Sequence, residues 1–176
     1  MSVVKGIIFG LAALVIILVS WPSLGRPRHH GFPRFFAFLA ILALLVLNVD
    51  RWFSDPFTPV HMVSWALLTA SLILAVHGFY LLRVVGQPKD NIENTTMLVR
   101  EGAYRYIRHP LYGSLLWLAW GICLKDLSPL SIGLALVATA ALFATARIEE
   151  AENLQRFGDD YAAYMKKTKL FIPYLL

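Results

Sequence analysis

The sequence predicts an all-α protein, a polytopic membrane helical bundle, and three observations carry that reading. Of 176 residues, 58% are apolar and only 15% charged, which leaves too few polar side chains to clothe a water-soluble globule. The apolar residues fall into five long runs separated by short segments rich in Pro, Gly or charge. The basic residues collect in alternate connections between those runs.

The first run, Val3–Trp21, is long enough to cross a bilayer. Lys5 ahead of an apolar stretch also suits a signal peptide, but the run ends in Ser20-Trp21-Pro22-Ser23 with no small-x-small cleavage site, so it reads as a retained anchor. The second run, Phe35–Val49, is short, the third, Val60–Leu82, is long, and the fourth, Leu111–Leu124, is short again. Fourteen helical residues span roughly 21 Å against a hydrocarbon core of ~30 Å, so the fourth must borrow flanking residues or sit inside the bundle. Lys125-Asp126 joins it to the fifth run, Leu127–Ala146, with Ser128-Pro129 placed to start that helix, so the pair reads as a tight hairpin. The fifth run continues into a C-terminal cytoplasmic amphipathic helix on which Ile148, Ala151, Leu154 and Phe157 recur every three residues; Gly158 is suited to end it and Asp159 to cap the next. The expected organisation is one integrated domain, with transmembrane helices in residues 1–85 and the functional loop, hairpin and C-terminal helices in 86–176.

Orientation follows from Lys and Arg. Thirteen of the sixteen lie in the first loop, the third loop and the tail, while Lys5, Arg51 and Lys125 fall on the other side. The positive-inside rule then places the amino terminus outside and both the third loop and the tail in the cytoplasm of a multi-pass membrane protein, and the compact length points to a prokaryotic inner membrane. The net charge of +5 is accounted for by this bias and by anionic headgroups, so nucleic acid is not an expected partner. Cys123 stands alone in an apolar run, which excludes an internal disulfide and reads as a buried thiol. The five histidines lack the spacing of a metal site: His29-His30 sits in a Pro-rich basic loop, and His61 and His77 are not an i,i+4 pair.

Between Arg83 and Pro110 the chain turns polar for longer than a mere connection needs. Gly86-Gln87-Pro88-Lys89-Asp90 starts it with turn residues, Thr95–Val99 has the composition to run extended, and Gly102 permits a tight bend or a close backbone approach. Asn94-Thr95-Thr96 matches a glycosylation sequon on the side expected to be cytoplasmic. Tyr104, Tyr106, Arg108, His109 and Tyr112 have the composition of an interfacial belt. Their order says more: Pro110 suits the first position of a helix, which puts Arg108 and His109 at its positive end in a corner fit for a carboxylate. Adjacent acids at Glu149 and Glu150, directly after a long apolar span, are costly unless cations lie close.

The pattern Leu98-Val99-x-x-Gly102-x-Tyr104-x-x-x-Arg108-His109-Pro110-x-Tyr112, then Arg147-x-Glu149-Glu150, then Phe157-Gly158-x-x-Tyr161-x-x-Tyr164 and Pro173, resembles the isoprenylcysteine carboxyl methyltransferase family over roughly Gln87 to Pro173. The resemblance implies a membrane-embedded enzyme using S-adenosylmethionine. It implies a cofactor site of Thr96, Met97, Leu98, Val99, Gly102, Tyr104, His109, Pro110, Leu111, Tyr112 and Glu149, with Lys89 where the family pattern is loose. Arg147 would correspond to the acceptor-binding arginine, and Glu150 is able to exchange roles with Glu149. The first three runs match nothing as specific.

Methyl transfer from a sulfonium is an in-line displacement that positioning and water exclusion accelerate without a covalent intermediate. Tyr104 and Tyr112 suit the cation, Glu149 its ammonium, and Arg108-His109 its carboxylate. A carboxylate acceptor needs only orientation by Arg147 or Arg108, whereas an amine or thiol needs deprotonation, with Glu150 as the candidate base. The acceptor is expected to be lipophilic or small, a carboxylate such as isoprenylcysteine. The alternatives are a phospholipid N-methyltransferase, a thiol S-methyltransferase, a sterol-type reductase using a nicotinamide cofactor, and a small structural or transport subunit anchored by its basic loop.

Overall fold

The computed structural model describes residues 3–89 and 95–175, so Asp90 and Asn94, with the sequon that begins there, lie outside the described residues. The fold is all-α: α1 Val3–Leu24, α2 Gly31–Asn48 with a short 3₁₀ turn Val49–Arg51, α3 Pro59–Val84, α4 Pro110–Cys123, α5 Pro129–Phe157 and α6 Asp159–Lys167. Among the described residues β-pairing is limited to two isolated bridges, Pro88 with Thr95 and Ile107 with Lys169. Four helices, α1, α2 with its 3₁₀ turn, α3 and α5, are long and apolar enough to cross a membrane, and α4 is a shorter apolar helix. This is an integral, multi-pass arrangement with α6 outside the spanning set.

One boundary differs from the sequence expectation. α2 begins at Gly31, four residues before Phe35, because the His29 ring accepts the Gly31 N–H at Nδ1 (3.1 Å) and Pro33 falls in the first turn, where a missing N–H costs nothing. The helix is therefore 18 residues, about 27 Å, and no longer short. Other helix starts follow their local signals. Pro110 and Pro129 open α4 and α5, and Ser128 Oγ accepts the Ser131 N–H at 3.1 Å as a cap. The start of α6 does not: Gly158, at φ +54, takes the N-cap position expected of Asp159, leaving Asp159 and Asp160 in the first turn, where carboxylates favour the helix dipole.

The described chain divides into two compact units, Met1–Leu68 with Leu116–Glu149, and Thr69–Leu115 with Glu150–Leu176. In the first, α1 packs on α2 and buries none of its own residues. Buried polar side chains tie the other helices: Asn48 Nδ2 donates to the Ile122 carbonyl (3.0 Å), Ser131 Oγ donates to Asn48 Oδ1 (3.2 Å), and Ser64 Oγ donates to the Gly121 carbonyl (2.6 Å). In lipid such bonds each contribute on the order of 1 kcal/mol. The turn after α4 holds buried Lys125, its ammonium 3.8 Å above the Trp65 ring, and burial lowers its pKa. Trp120 Nε1 donates to Thr139 Oγ1 at 3.1 Å, completing the expected α4–α5 hairpin.

In the second unit, Ser71 Oγ donates to the Ser114 carbonyl (2.7 Å), and Gly78 admits α4 so closely that an added Cβ would lie 3.3 Å from Pro110 and Leu111. The connection after α3 folds back on itself: the Gly86 carbonyl accepts the N–H groups of Thr96 (2.9 Å) and Met97 (3.2 Å). Leu81, Val99 and Tyr104 form a buried cluster beneath it.

Candidate active site

Four backbone events place the Tyr104–Tyr112 segment. Gly102, at φ +53, makes a bend so tight that a Cβ there would meet His77 Nε2 at 2.3 Å, and the Ala103 N–H donates to that same nitrogen at 3.4 Å. A 3₁₀ turn, Gly102–Arg105, then drops Tyr104 into the core beside Leu81 and Val99. Residues 106–109 next run alongside the C-terminal tail: Lys169 N–H donates to the Tyr106 carbonyl (3.0 Å), Arg108 N–H to Lys169 (2.8 Å) and His109 N–H to Leu170 (3.2 Å). Pro110 then opens α4.

This pairing sets the side chains. Arg108 Nε donates to Glu150 Oε1 at 2.5 Å, with both side chains more than nine-tenths buried, and Arg108 Nη1 donates to the carbonyls of Met165 (3.3 Å) and Thr168. His109 Nε2 lies 3.9 Å from the same Glu150 oxygen. The buried imidazole stacks on Tyr112, centroids 5.5 Å apart and planes 20° from parallel, and meets Phe171 edge-on at 6.4 Å. The acid after the long apolar span thus has its cation, and the pair is neutral as a unit. Tyr164 on α6 donates its hydroxyl to the Tyr104 carbonyl at 2.6 Å. Burial, and then the neighbouring Tyr161 phenol, raise the Tyr164 pKa, opposed by the smaller effects of the Arg108 and Arg100 guanidiniums.

Of the residues singled out in the sequence, Arg108, His109, Tyr112 and Glu150 are brought together, and Tyr104 joins them through Tyr164. Pro110 and Leu111 form the start of α4, and Val99 is buried against Tyr104. Leu98 is half-buried, Thr96 and Met97 are exposed at the loop closure, and Lys89 is exposed. Arg147, exposed, and Glu149, half-buried, belong to the first unit, whereas Glu150 begins the last part of the second. Four contributors have no role in the sequence reading: Met165 and Thr168, which act through their carbonyls, Phe171, and His77. Tyr164 was visible in the motif, but its bond to a carbonyl sixty residues away was not.

Residues 59–160, more than half of the chain, match the family model for phospholipid methyltransferase. The chain belongs to the phospholipid methyltransferase family. The matched range takes in α3, α4, α5 and the buried Arg108–Glu150 pair. Over 88 residues the chain is also 32% identical to the protein-S-isoprenylcysteine O-methyltransferase of Saccharomyces cerevisiae, a stretch covering 49% of this chain and 37% of that protein. No solved structure matches. The match to a methyltransferase family makes S-adenosylmethionine the molecule against which these residues are tested. The donor set suits that molecule chemically: α4 presents a positive N-terminus toward a carboxylate, the stacked His109 and Tyr112 offer aromatic surface to a sulfonium, and Glu150 brings a carboxylate to the same corner.

Proposed function

We propose that this chain is a membrane-embedded, S-adenosylmethionine-dependent methyltransferase whose acceptor is the amine of a phospholipid headgroup. The observation that carries the reading is the buried Arg108–Glu150–His109 cluster at the start of α4, inside the range shared with the phospholipid methyltransferase family. An open groove of about 590 Å³ adds to it, lined by Val76, Phe79, Tyr80, Val84 and Leu111, with Arg83 the charged member of its lining. The apolar lining suits an acyl chain.

S-adenosylmethionine, when bound, supplies an electrophilic methyl group on a sulfonium. The candidate holding residues are His109, Pro110, Leu111 and Tyr112 at the α4 start, with Thr96, Met97, Leu98, Val99, Gly102 and Tyr104 from the preceding loop. Arg108 acts as a positioning residue, because Glu150 and two backbone carbonyls engage its guanidinium. An amine must shed a proton before it attacks a methyl carbon. Glu150 Oε1 is already engaged by Arg108 Nε, so His109, with Glu150 behind it at 3.9 Å, is the candidate acceptor of the proton. Arg147 and Glu149 keep the acceptor and cofactor roles that the resemblance implies, and the charge bias puts these groups on the cytoplasmic side with the amino terminus outside.

The deciding experiment supplies methyl-labelled S-adenosylmethionine to the purified protein in nanodiscs containing phosphatidylethanolamine and a farnesylcysteine peptide. Base-stable label in the amine-lipid fraction supports the reading. Base-labile label released as methanol supports a prenylcysteine carboxylate instead, the second reading, favoured by the identity to the yeast enzyme. Absence of label from both fractions, with wild-type protein that binds S-adenosylhomocysteine, rejects both acceptors.

A further inference from the structure

We propose that Arg100, Arg105 and Lys167 form a binding pocket for the phosphate of a membrane phospholipid; this rests on the phospholipid reading above and names how its headgroup is held. The three cations come from three places in the chain: the segment before Gly102, the end of the 3₁₀ turn, and the last turn of α6. They line one pocket of about 170 Å³ whose remaining walls are Ala163, Tyr164 and Thr168. Sites for whole small molecules run from roughly 300 Å³ upward, so this one is of a size for a headgroup phosphate and too small for a complete cofactor.

The charge balance asks for an anion. Arg100 Nη2 reaches the Asp160 carboxylate at 3.2 Å, a surface pair with that acid largely exposed and therefore weak. Among the described residues, Arg105 and Lys167 have no carboxylate within ion-pair distance. Lys167 alone is explained by its place at the C-terminal end of α6. Arg105 ends the 3₁₀ turn and not α6, so the α6 dipole does not explain its presence in the same pocket. Tyr164 and Thr168 are also the residues that hold the Tyr104 carbonyl and Arg108 in place, so an occupant would sit one wall away from the buried pair.

The surroundings favour a lipid over free phosphate. Arg105 lies 6.0 Å from the Tyr106 ring, which pairs with Tyr174 at 6.4 Å, and both rings are exposed. Exposed tyrosines beside cations are the composition of a membrane interface.

The test measures binding of short-chain phosphatidylethanolamine and of the matching phosphate-free diacylglycerol to the detergent-solubilised full chain. The expected result is a preference of about tenfold or more for the phospholipid, of the size charge-assisted contacts provide. Arg105→Ala/Lys167→Ala should abolish it, as should the milder Arg105→Gln/Lys167→Gln, while Lys166→Ala should keep it. Equal affinity for the two lipids in the wild type, or a preference that survives both double variants, overturns the proposal. Inorganic phosphate that binds as tightly as the phospholipid overturns its lipid part. Methyl transfer is scored separately: a lipid preference without any methylated amine lipid defeats the catalytic reading alone, and methylation without the preference defeats this pocket alone.

Discussion

The hydroxyl of Tyr164 on α6 donates to the backbone carbonyl of Tyr104 at 2.6 Å, tying the short C-terminal helix to the turn that introduces the Arg-His-Pro segment. Both groups are buried, so Tyr164→Phe leaves a carbonyl without its partner and should cost about 1–3 kcal/mol. The pH response has a definite sign. Folding holds the Tyr164 phenol protonated above its ordinary value of 10.0, so stability is unaffected below that value and falls as pH rises beyond it, where the unfolded chain ionises first. Thermal unfolding in detergent between pH 8 and 11 should show a decline in the wild type that is smaller in Tyr164→Phe.

Removing one member of the Arg108–Glu150 pair strands a buried charge. Glu150→Ala and Arg108→Ala should each destabilise by about 3–5 kcal/mol, and Arg108→Lys should fail to rescue, because a single ammonium cannot serve both the carboxylate and the two carbonyls in the same geometry. The double substitution Arg108→Met/Glu150→Leu should recover much of the melting temperature. If it also recovers S-adenosylhomocysteine affinity, the pair has no positioning role.

At position 102 two separate penalties meet. Gly102→Ala forces a side chain into a positive-φ conformation, costing about 1–3 kcal/mol, and drives its Cβ against His77. Adding His77→Ala should relieve that contact and leave both the backbone strain and the contact with Leu81 Cδ1 at 2.7 Å, so the melting temperature should recover only in part.

Phe171 is fully buried against His109. Phe171→Ala should cost about 3–5 kcal/mol and loosen the tail that pairs with residues 106–109. Hydrogen exchange at the Arg108 and His109 amides, which donate to Lys169 and Leu170, should accelerate more than exchange in α2.

Features written in short stretches of chain were legible in the sequence. Pro110 and Ser128-Pro129 mark helix starts because a proline or a hydroxyl cap acts within one turn, and the five apolar runs mark the spans because hydrophobicity accumulates residue by residue. The start of α2 escaped because its first N–H is held by the ring of His29, one residue before the N-cap, where no familiar N-cap signal is read. That Glu150 is the acid paired with Arg108 depends on the rotational phase of α5 at its end, a property of packing that adjacent letters do not reveal. Carbonyl acceptors such as those of Thr168 and Met165 have no sequence signature, since every residue carries one. Phe171 had no signal of its own because its burial is created by residues sixty positions earlier.

Arg108 obtains its carbonyl acceptor at Thr168 from sixty residues downstream, and the neighbouring N–H groups of Arg108 and His109 are satisfied by the residues that follow it. A nascent chain that has already threaded its apolar helices into the bilayer therefore still lacks the backbone partners of its Arg-His-Pro segment. Only when the ribosome has released the stretch through Phe171 can the Arg-His-Pro segment acquire its register, so threading of the spans and completion of this corner are separate steps.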